Sequence, residues 1–363
     1  MIHTDTVVIG AGPVGLFQVF QLGLLGMSTQ VIDVLPEAGG QCVALYPDKP
    51  IYDVPGVPRC TGRELTDLLL AQARPFLAPD AQGQSPLHLG HQVSELNALT
   101  DGGFEVRTLQ GLQLRCRAVF VAAGAGAFVP RLINVAGLND LLHPPANVHH
   151  HWPLNEPCAG AGQAVVVAGG GEEAVLTVLD LLTRAPADAP ASLTLLHRRE
   201  QFQVEAHLQE ALQTHIDRGR LKLALGMPTA AELDSNPAGQ PALRALTLLG
   251  NDSQEHRLPL DVLLVRQGLS PKLGPLTQWG LALERKQVSV SPCAFESSVP
   301  GVFAVGDINT YPGKKRLLLC GFHEATLAAH AALARLHPEA PQHLQYTTTS
   351  ALLRQRLGVS TAS

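Results

Sequence analysis

The stretch TVVIGAGPVGLF, residues 6 to 17, decides the fold of this chain. Its apolar start predicts a buried strand, and Gly10, Gly12 and Gly15 form a Gly-x-Gly-x-x-Gly pattern directly after it. The first glycine permits a tight turn, the second lets the backbone approach a pyrophosphate, and the third lets helix and strand pack closely. Pro13 suits the first position of the following helix, because its missing N–H would have no partner there. The stretch therefore predicts a dinucleotide-binding turn between a strand and a helix.

The sequence after this stretch completes the unit. QVIDV, at residues 30 to 34, is a second short apolar strand, so the two strands and the helix between them form a βαβ unit. Asp33 stands at the end of this strand, where a carboxylate can accept hydrogen bonds from both ribose hydroxyls of an adenosine. Farther along, residues 91 to 124 alternate polar and apolar side chains. They predict an antiparallel meander that returns to a buried strand at 118 to 122.

A second glycine-rich stretch, VVVAGGGEEA, ends at Ala174 and repeats the same pattern. Gly169, Gly171 and Ala174 occupy the three pattern positions, again after an apolar strand and before a helix. Glu172 and Glu173 stand at the start of that helix. Acids suit a helix N-terminus, but they oppose a phosphate bound at the same place. At least one of the two is therefore expected to point away.

The strand end of the second unit carries bases instead of an acid. His197, Arg198 and Arg199 follow the strand SLTLL, at the position equivalent to Asp33. An acid there would repel a 2′-phosphate, whereas arginines can bind it with paired, charge-assisted hydrogen bonds. The second nucleotide is therefore predicted to be NADP(H) and not NAD(H). A basic turn on a solvated edge is the alternative interpretation.

Two dinucleotide sites in one chain suggest electron transfer between a nicotinamide and a flavin. A flavin is the sensible resident cofactor, because it can exchange a hydride for single electrons. Hydride transfer between ring systems needs alignment and no acid–base group. We therefore expect a bound flavin, a diffusing NADP(H) and no general acid or base.

The composition limits the alternatives. The 363 residues are 45% hydrophobic and 16% charged, enough for two α/β domains, and the formal charge of −5 argues against a generally basic nucleic-acid binder. No apolar run has membrane-spanning length, and no signal peptide is expected. The six cysteines show no Cys-x-x-Cys spacing, so we expect a reduced, cytoplasmic protein. Adjacent histidines at 149 to 151 cannot easily aim at one ion, so no metal is expected.

Several motifs go beyond a generic dinucleotide pattern. EAGGQ follows Asp33, GDI follows the strand VFAV, and HRREQF follows the strand of the second unit. Together they resemble the low-molecular-weight thioredoxin reductase family of flavoproteins. The runs GGQCVALYPDKPIYDVPG, GAGAFVPR, GDINTYPGKKR and CGFHEA resemble more closely the thioredoxin-reductase-like ferredoxin (or flavodoxin)–NADP+ reductases of bacteria. This resemblance covers nearly the whole chain.

The resemblance implies an α/β fold of two Rossmann-like domains in a homodimer. The FAD domain would be discontinuous, with residues 1–127 and 269–363, and the NADP domain of residues 128–268 would be inserted into it. The implied enzyme passes a hydride from NADPH to FAD and single electrons to ferredoxin or flavodoxin, reversibly. The short crossings near 128–130 and 268–271 suggest that the two domains rotate during turnover.

The resemblance also implies the flavin contacts. Tyr46 would stack on one face of the isoalloxazine, and Tyr346 would cover the other face, which the nicotinamide must reach. Flat aromatic side chains suit a flavin face, and aromatic residues are only 4% of this chain. The alternatives are an ordinary core tyrosine at 46 and a mobile tail around 346. The other implied FAD contacts are Asp33, Gln41, Val93, Phe128, Asp307 and Thr348.

A thioredoxin reductase would need two cysteines that exchange electrons with the flavin. The region that carries this pair in that family offers only Cys158, and the lipoamide-type partner of Cys42 would fall on Pro47. Without a dithiol there is no thiol–disulfide relay. Two alternatives stay open: a thioredoxin-reductase-like flavoprotein without its own dithiol, and an FAD- and NADPH-binding sensor without turnover.

A basic run follows Pro312 and Gly313, which should hold it in solvent. Ferredoxins and flavodoxins are usually acidic, so an acidic reductase must concentrate cations near the flavin. A solvated turn without a partner is the alternative. The candidate docking residues are Lys314, Lys315 and Arg316, with Lys49, Arg59 and Arg63 as the next set.

Overall fold

The computed structural model describes residues 1–79, 82–139, 144–150, 160–339 and 344–359, with the backbone alone at 127–129 and 271. The chain divides into two compact units, one of residues Met1–Phe128 and Pro271–Ser363, the other of residues Val129–Ser270. The second unit is thus inserted into the first, in agreement with the expected fold class. Among the described residues, no helix has both the length and the apolar character to cross a membrane.

The first part of unit one alternates strands and helices and ends in a meander. Its elements are β1 (Ile2–His3), β2 (Thr6–Ile9), α1 (Pro13–Leu24), β3 (Thr29–Asp33), α2 (Gln41–Ala44), β4 (Pro50–Ile51), β5 (Cys60–Thr61), α3 (Gly62–Ala73), β6 (Leu87–Leu89), β7 (Val93–Ala98), β8 (Phe104–Thr108), β9 (Gln113–Cys116) and β10 (Ala118–Val121). Strands β10, β2, β3 and β6 run parallel as neighbours in one sheet. Strands β7, β8 and β9 are antiparallel, so the predicted meander is confirmed.

Unit two is a second α/β unit with an added antiparallel sheet. Its elements, with the two crossing strands, are β11 (Ala127–Pro130), β12 (Val148–His149), β13 (Ala164–Ala168), α4 (Glu172–Thr183), β14 (Ser192–His197), α5 (Ala206–Asp217), β15 (Lys222–Leu225), β16 (Met227–Ser235), β17 (Pro241–Leu249), β18 (Glu255–Pro259), β19 (Val262–Val265) and β20 (Leu269–Lys272). The parallel sheet has the order β12-β19-β13-β14-β15. Strands β16, β17 and β18 form the antiparallel sheet, and the crossing strands β11 and β20 pair with each other.

The chain then returns to unit one and completes its sheet. The last elements are β21 (Leu283–Glu284), β22 (Gln287–Ser289), β23 (Val302–Ala304), β24 (Asn309–Thr310), α6 (Leu318–Leu336) and α7 (Ala351–Arg356). Strand β23 pairs in parallel with β10, which gives the five-stranded order β23-β10-β2-β3-β6. Strand β2, which leads into the first glycine loop, is therefore the central strand of the sheet and lies between β10 and β3.

Helix α1 is fixed against this sheet by its apolar face. Leu16, Val19 and Leu22 recur at helical spacing and are fully buried, in one core with Phe120 and Phe303 of the sheet. Burying a side chain of this size stabilises the fold by about 1.5–3 kcal/mol. The two phenylalanines stack on neighbouring strands with their ring centroids 5.0 Å apart. This packing holds the glycine loop at the start of α1 in place.

The helix expected after Thr61 begins as predicted. The Thr61 hydroxyl accepts the Glu64 N–H at 3.2 Å, and the Glu64 carboxylate accepts the Thr61 N–H at 2.7 Å. The predicted capping box of α3 is therefore confirmed.

Candidate functional site

The first glycine loop connects β2 to α1 at the carboxyl end of the parallel sheet. Gly10 has a φ of +113°, which residues with a side chain rarely adopt, and a Cβ there would overlap the carbonyl oxygen of Ala122. A Cβ on Gly15 would overlap the carbonyl oxygen of Gly10. Gly12 is the N-cap of α1 and has no side chain to cover the helix end. A helix N-terminus in this form favours a bound phosphate.

Asp33 fastens this loop to the next strand. Its Oδ2 accepts the Ala11 N–H at 2.6 Å, and its Oδ1 accepts the Leu35 N–H at 2.8 Å. Burial raises the pKa of the Asp33 carboxyl, and these backbone hydrogen bonds oppose that effect. The sequence predicted a ribose-binding carboxylate here. The structure adds that this carboxylate also holds the glycine loop.

Tyr46 is half-buried and follows α2 closely in the chain. The Cys42 thiol donates to the Tyr46 hydroxyl at 3.8 Å. Burial raises the pKa of the Tyr46 phenol, and the nearby Cys42, Asp307 and Asp53 raise it further. The phenol is therefore protonated and neutral at physiological pH. Two residues that the resemblance placed on the flavin, Tyr46 and Asp307, are thus within electrostatic reach of each other.

A third implied flavin contact, Gln41, begins helix α2 in the same region. Its side-chain nitrogen lies beside Gly124, where a Cβ would stand 2.9 Å from it. Gly124 itself has a φ of +58°. The segment after β10 therefore approaches Gln41 with no side chain between them.

Glu324 of α6 is fully buried and organises the turn between β23 and β24. Its Oε2 accepts hydrogen bonds from the Gly306 N–H at 2.7 Å and from Asn309 Nδ2 at 2.9 Å. Its Oε1 accepts the Tyr311 hydroxyl at 2.9 Å and pairs with Lys314 Nζ at 2.5 Å. Lys314 Nζ also donates to the Gly306 carbonyl at 2.9 Å. This buried network fixes the turn that carries the candidate flavin contact at position 307.

The basic patch expected after Pro312 is only partly exposed. The Lys314 side chain is 8% exposed because it pairs with Glu324, so the prediction that Lys314 lies in solvent is wrong. Lys315 and Arg316 are exposed, and Arg316 donates to a side-chain oxygen of Gln287 at 2.9 Å. The available patch therefore consists of two cations and not three.

The C-terminal segment places Tyr346 at the surface. Tyr346 is 62% exposed as a whole residue, and its carbonyl accepts the N–H groups of Thr349 and Ser350 in the turn before α7. Thr348, in the same turn, is also exposed. Of the other implied contacts, Val93 is buried at the start of β7, and the side chain of residue 128 lies outside the described residues.

Helix α7 is anchored on α1. Leu353 is 6% exposed, and Arg356 Nη1 donates to the Leu24 carbonyl at 2.5 Å. The guanidinium of Arg356 covers Gly26, where a Cβ would overlap it. The segment with Tyr346 is therefore attached to unit one at a helix end that lies opposite the glycine loop.

The second glycine loop is also closely packed against its surroundings. A Cβ on Gly169 would overlap the carbonyl oxygen of Arg266, and Ala174 is fully buried under the loop. The His197 ring lies against Gly170, where a Cβ would overlap it. Burial lowers the pKa of His197, and the neighbouring cations at 198 and 199 lower it further. A neutral imidazole therefore supports this loop.

The two arginines predicted to bind a 2′-phosphate, Arg198 and Arg199, are both exposed just after β14. Glu173 of α4 pairs with the buried Arg266, with Arg266 Nε 3.3 Å from Glu173 Oε1. The sequence interpretation missed Arg266. The signal for it was a single charge at the end of the otherwise apolar strand VLLV.

No disulfide joins the described cysteines. Cysteines 42, 60, 116, 293 and 320 are free, and Cys158 lies outside the described residues. Within the described ranges, no group of three or more His, Cys, Asp or Glu side chains could hold a metal ion. His151 of the histidine run lies outside those ranges.

Comparison with known proteins agrees with this geometry. The pyridine nucleotide-disulphide oxidoreductase family matches residues 4–332. A ferredoxin–NADP reductase of Paracidovorax citrulli is 51% identical over 100% of this chain and 98% of its own, and one of Acidovorax sp. (strain JS42) is 49% identical over 99% and 96%. The thioredoxin reductase of T. acidophilum shares the fold, with a TM-score of 0.56 at 18% identity over 93% of this chain and 99% of its own. The chain therefore belongs to the pyridine nucleotide-disulphide oxidoreductase family and, within it, to the ferredoxin–NADP reductases.

Proposed function

We propose that this chain catalyses electron transfer between NADPH and ferredoxin or flavodoxin, in either direction, with FAD as its bound cofactor. One observation carries the proposal: the chain has two dinucleotide-binding units, and the end of the second strand in each unit carries opposite charge. Asp33 stands there in unit one, and Arg198 and Arg199 stand there in unit two. The two relatives that are 51% and 49% identical to this chain are both named ferredoxin–NADP reductases, which supports ferredoxin as the electron carrier. We expect the enzyme to act in the cytoplasm, because its six cysteines show no spacing typical of a disulfide framework.

Unit one fits FAD. The N-terminus of α1, at the first glycine loop, is open to a pyrophosphate, because its N-cap residue Gly12 has no side chain that could cap it. The Asp33 carboxylate lies beside this loop and has remaining lone pairs for ribose hydroxyls. Tyr46 and Asp307, which we propose to contact the isoalloxazine and the ribitol, lie within electrostatic reach of each other. The residues we propose to hold FAD are Gly10, Gly12, Gly15, Asp33, Gln41, Tyr46, Val93, Phe128, Asp307 and Thr348.

Unit two fits NADP(H). Its glycine loop brings backbone N–H groups to the start of α4, where a pyrophosphate is favoured. The exposed Arg198 and Arg199 can turn toward a 2′-phosphate without breaking any packing, since both lie at the surface. The residues we propose to hold NADP(H) are Gly169, Gly171, Ala174, His197, Arg198 and Arg199.

The protein binds and aligns the reacting rings. Bound FAD supplies the chemistry, since a flavin exchanges a hydride for single electrons. The neutral phenol of Tyr46 presents a flat surface without adding charge, and the turn held by Glu324 keeps Asp307 in one position. Fixed alignment of the reactants removes a large part of the barrier, so no general acid or base is needed.

The proposed activity is tested by steady-state turnover. Purified protein should release FAD on heating, should be reduced by NADPH, and should then reduce the organism's own ferredoxins or flavodoxins many times per flavin. Release of FMN, or of no flavin, would contradict the cofactor assignment. Flavin that NADPH reduces once, without turnover with any carrier, would favour a sensor instead.

We also propose that the protein is a homodimer in which Tyr346 covers the flavin face that the nicotinamide must reach. The covered flavin belongs either to the same chain or to the partner subunit. Its 62% exposure in the single chain leaves the ring free for such a contact. Rotation of the two units about the crossings near 128–130 and 268–271 stays a prediction. Sedimentation of the FAD-loaded protein tests the dimer.

Tyr346→Ser is expected to change the rate of flavin reduction by NADPH severalfold while FAD stays bound. The anchor of α7 remains in this variant, because Leu353 and Arg356 are retained. Stopped-flow absorbance of the flavin measures the rate. Leu344→Ser is the matched control, since Leu344 is similarly exposed, at 63%, in the same segment. Equal reduction rates in the unchanged protein and in Tyr346→Ser would exclude the tail as a gate.

Lys315 and Arg316 are proposed to dock the acidic carrier. Lys315→Glu with Arg316→Glu should raise the apparent KM for the carrier and leave flavin reduction by NADPH unchanged, because the proposed NADP(H) residues lie in unit two. The effect should fade as salt rises, since the screening length is about 8 Å at physiological ionic strength. Arg218→Glu with Lys222→Glu, two exposed cations of unit two, is the matched control. If carrier reduction at low salt survives the reversal, Lys49, Arg59 and Arg63 are the next set.

A further inference from the structure

Arg266 is a buried cation beneath the second glycine loop. It is 6% exposed and follows β19 directly. Its Nε lies 3.3 Å from Glu173 Oε1 and 3.4 Å from the Thr177 hydroxyl, and its Nη1 donates to the His150 carbonyl at 2.5 Å. Glu173 and Thr177 stand one helical turn apart, so the guanidinium lies along the first turn of α4.

This position matters because of where the paired acid lies. Glu173 is the second residue of α4, directly after the loop, and its side chain is 58% exposed. A free carboxylate there would repel the pyrophosphate that the loop is shaped to bind. The carbonyl oxygen of Arg266 also borders Gly169, so the same residue touches the loop and the acid.

We propose that Arg266 is a positioning residue that cancels the charge of Glu173 and so keeps the start of α4 able to bind the pyrophosphate of NADP(H). The inference rests on the proposed function and deepens it. Arg266 acts on the ligand through Glu173 and not by the 2′-phosphate contact assigned to Arg198 and Arg199. Its effect should therefore be confined to ligands that contain a pyrophosphate.

The test compares NADP+ with 2′-AMP, which has the adenosine and the 2′-phosphate but no pyrophosphate. Calorimetric titrations of the FAD-loaded protein at low salt should show that Arg266→Met weakens NADP+ about tenfold, a loss of about 1.4 kcal/mol. Binding of 2′-AMP should be unchanged. Arg266→Met with Glu173→Gln should return NADP+ affinity to near the original value, a non-additivity that identifies a direct pair.

The matched control is Arg257→Met. Arg257 pairs with Glu232 at 2.8 Å in the antiparallel sheet of the same unit, and its loss should leave both ligands unaffected. Unchanged NADP+ affinity in Arg266→Met, an equal loss for 2′-AMP, or no recovery in the double variant would overturn the inference. If Arg266→Met does not fold, the single variant Glu173→Gln tests the inference instead. This variant should bind NADP+ at least as tightly as the unchanged protein. Weaker binding would overturn the inference. An unchanged protein that binds neither ligand overturns the proposed NADP(H) site itself.

Discussion

Replacement of Arg198 and Arg199 by Ala is expected to lower the preference for NADPH over NADH by about tenfold or more. Both side chains are exposed after β14, so their loss should not disturb the fold. A hydrogen bond to a charged group contributes about 1.5–3 kcal/mol, and each 1.4 kcal/mol is a factor of ten. The ratio of kcat/KM for the two cofactors measures the effect.

The control for this change is Arg218→Ala with Lys222→Ala. It removes the same charge from the same unit, at exposed positions outside the proposed site. The cofactor ratio should stay as in the unchanged protein. If the unchanged protein already used NADPH and NADH at equal rates, the interpretation of this strand end would be wrong.

Lys314→Met is expected to have the largest effect on stability. The fully buried Glu324 would lose its compensating cation, and breaking a buried pair from one side commonly costs about 3–5 kcal/mol. The turn at Gly306 would lose a hydrogen bond as well, so FAD should be released more readily. Urea denaturation measures the change in the free energy of unfolding, and a separate assay of FAD release measures how readily the cofactor is lost.

Two further variants test whether the loss of stability in Lys314→Met comes from the unpaired buried carboxylate. Lys314→Met with Glu324→Gln removes both charges, so most of the lost free energy of unfolding should return. Arg257→Met breaks an exposed pair whose side chains are each 58% exposed, and should change the free energy by less than about 1 kcal/mol. A loss in Lys314→Met no larger than in Arg257→Met would show that the buried pair does not hold the turn.

The parts of the fold and the site that could be predicted are those that local geometry determines. Gly10 needs a positive φ, and Gly15 must let a backbone carbonyl approach, so the pattern itself predicts the first loop. The capping box of α3 involves residues only three positions apart. The meander follows from a period of two along each strand.

The parts that could not be predicted depend on which charges meet across the fold. Lys314 stands in a run of three cations, and nothing local distinguishes the one that pairs with an acid on α6. Arg266 and Glu173 are far apart in sequence and meet only because β19 and α4 flank the same loop. The antiparallel sheet of unit two was missed because its two outer strands, β16 and β18, are mostly exposed and carry weak apolar patterns.

The backbone hydrogen bonds of Asp33 bear on how the two proposed cofactor sites can change during evolution or engineering. Each oxygen of its carboxylate already holds a backbone N–H of unit one, so a substitution that aims to alter nucleotide choice there would also loosen the loop. The arginine pair that follows the equivalent strand end of unit two is exposed, so mutation can replace it at little cost in folding. Under the proposed assignment, the site of the resident cofactor is thus part of the architecture, whereas the choice of diffusing cofactor is open to selection.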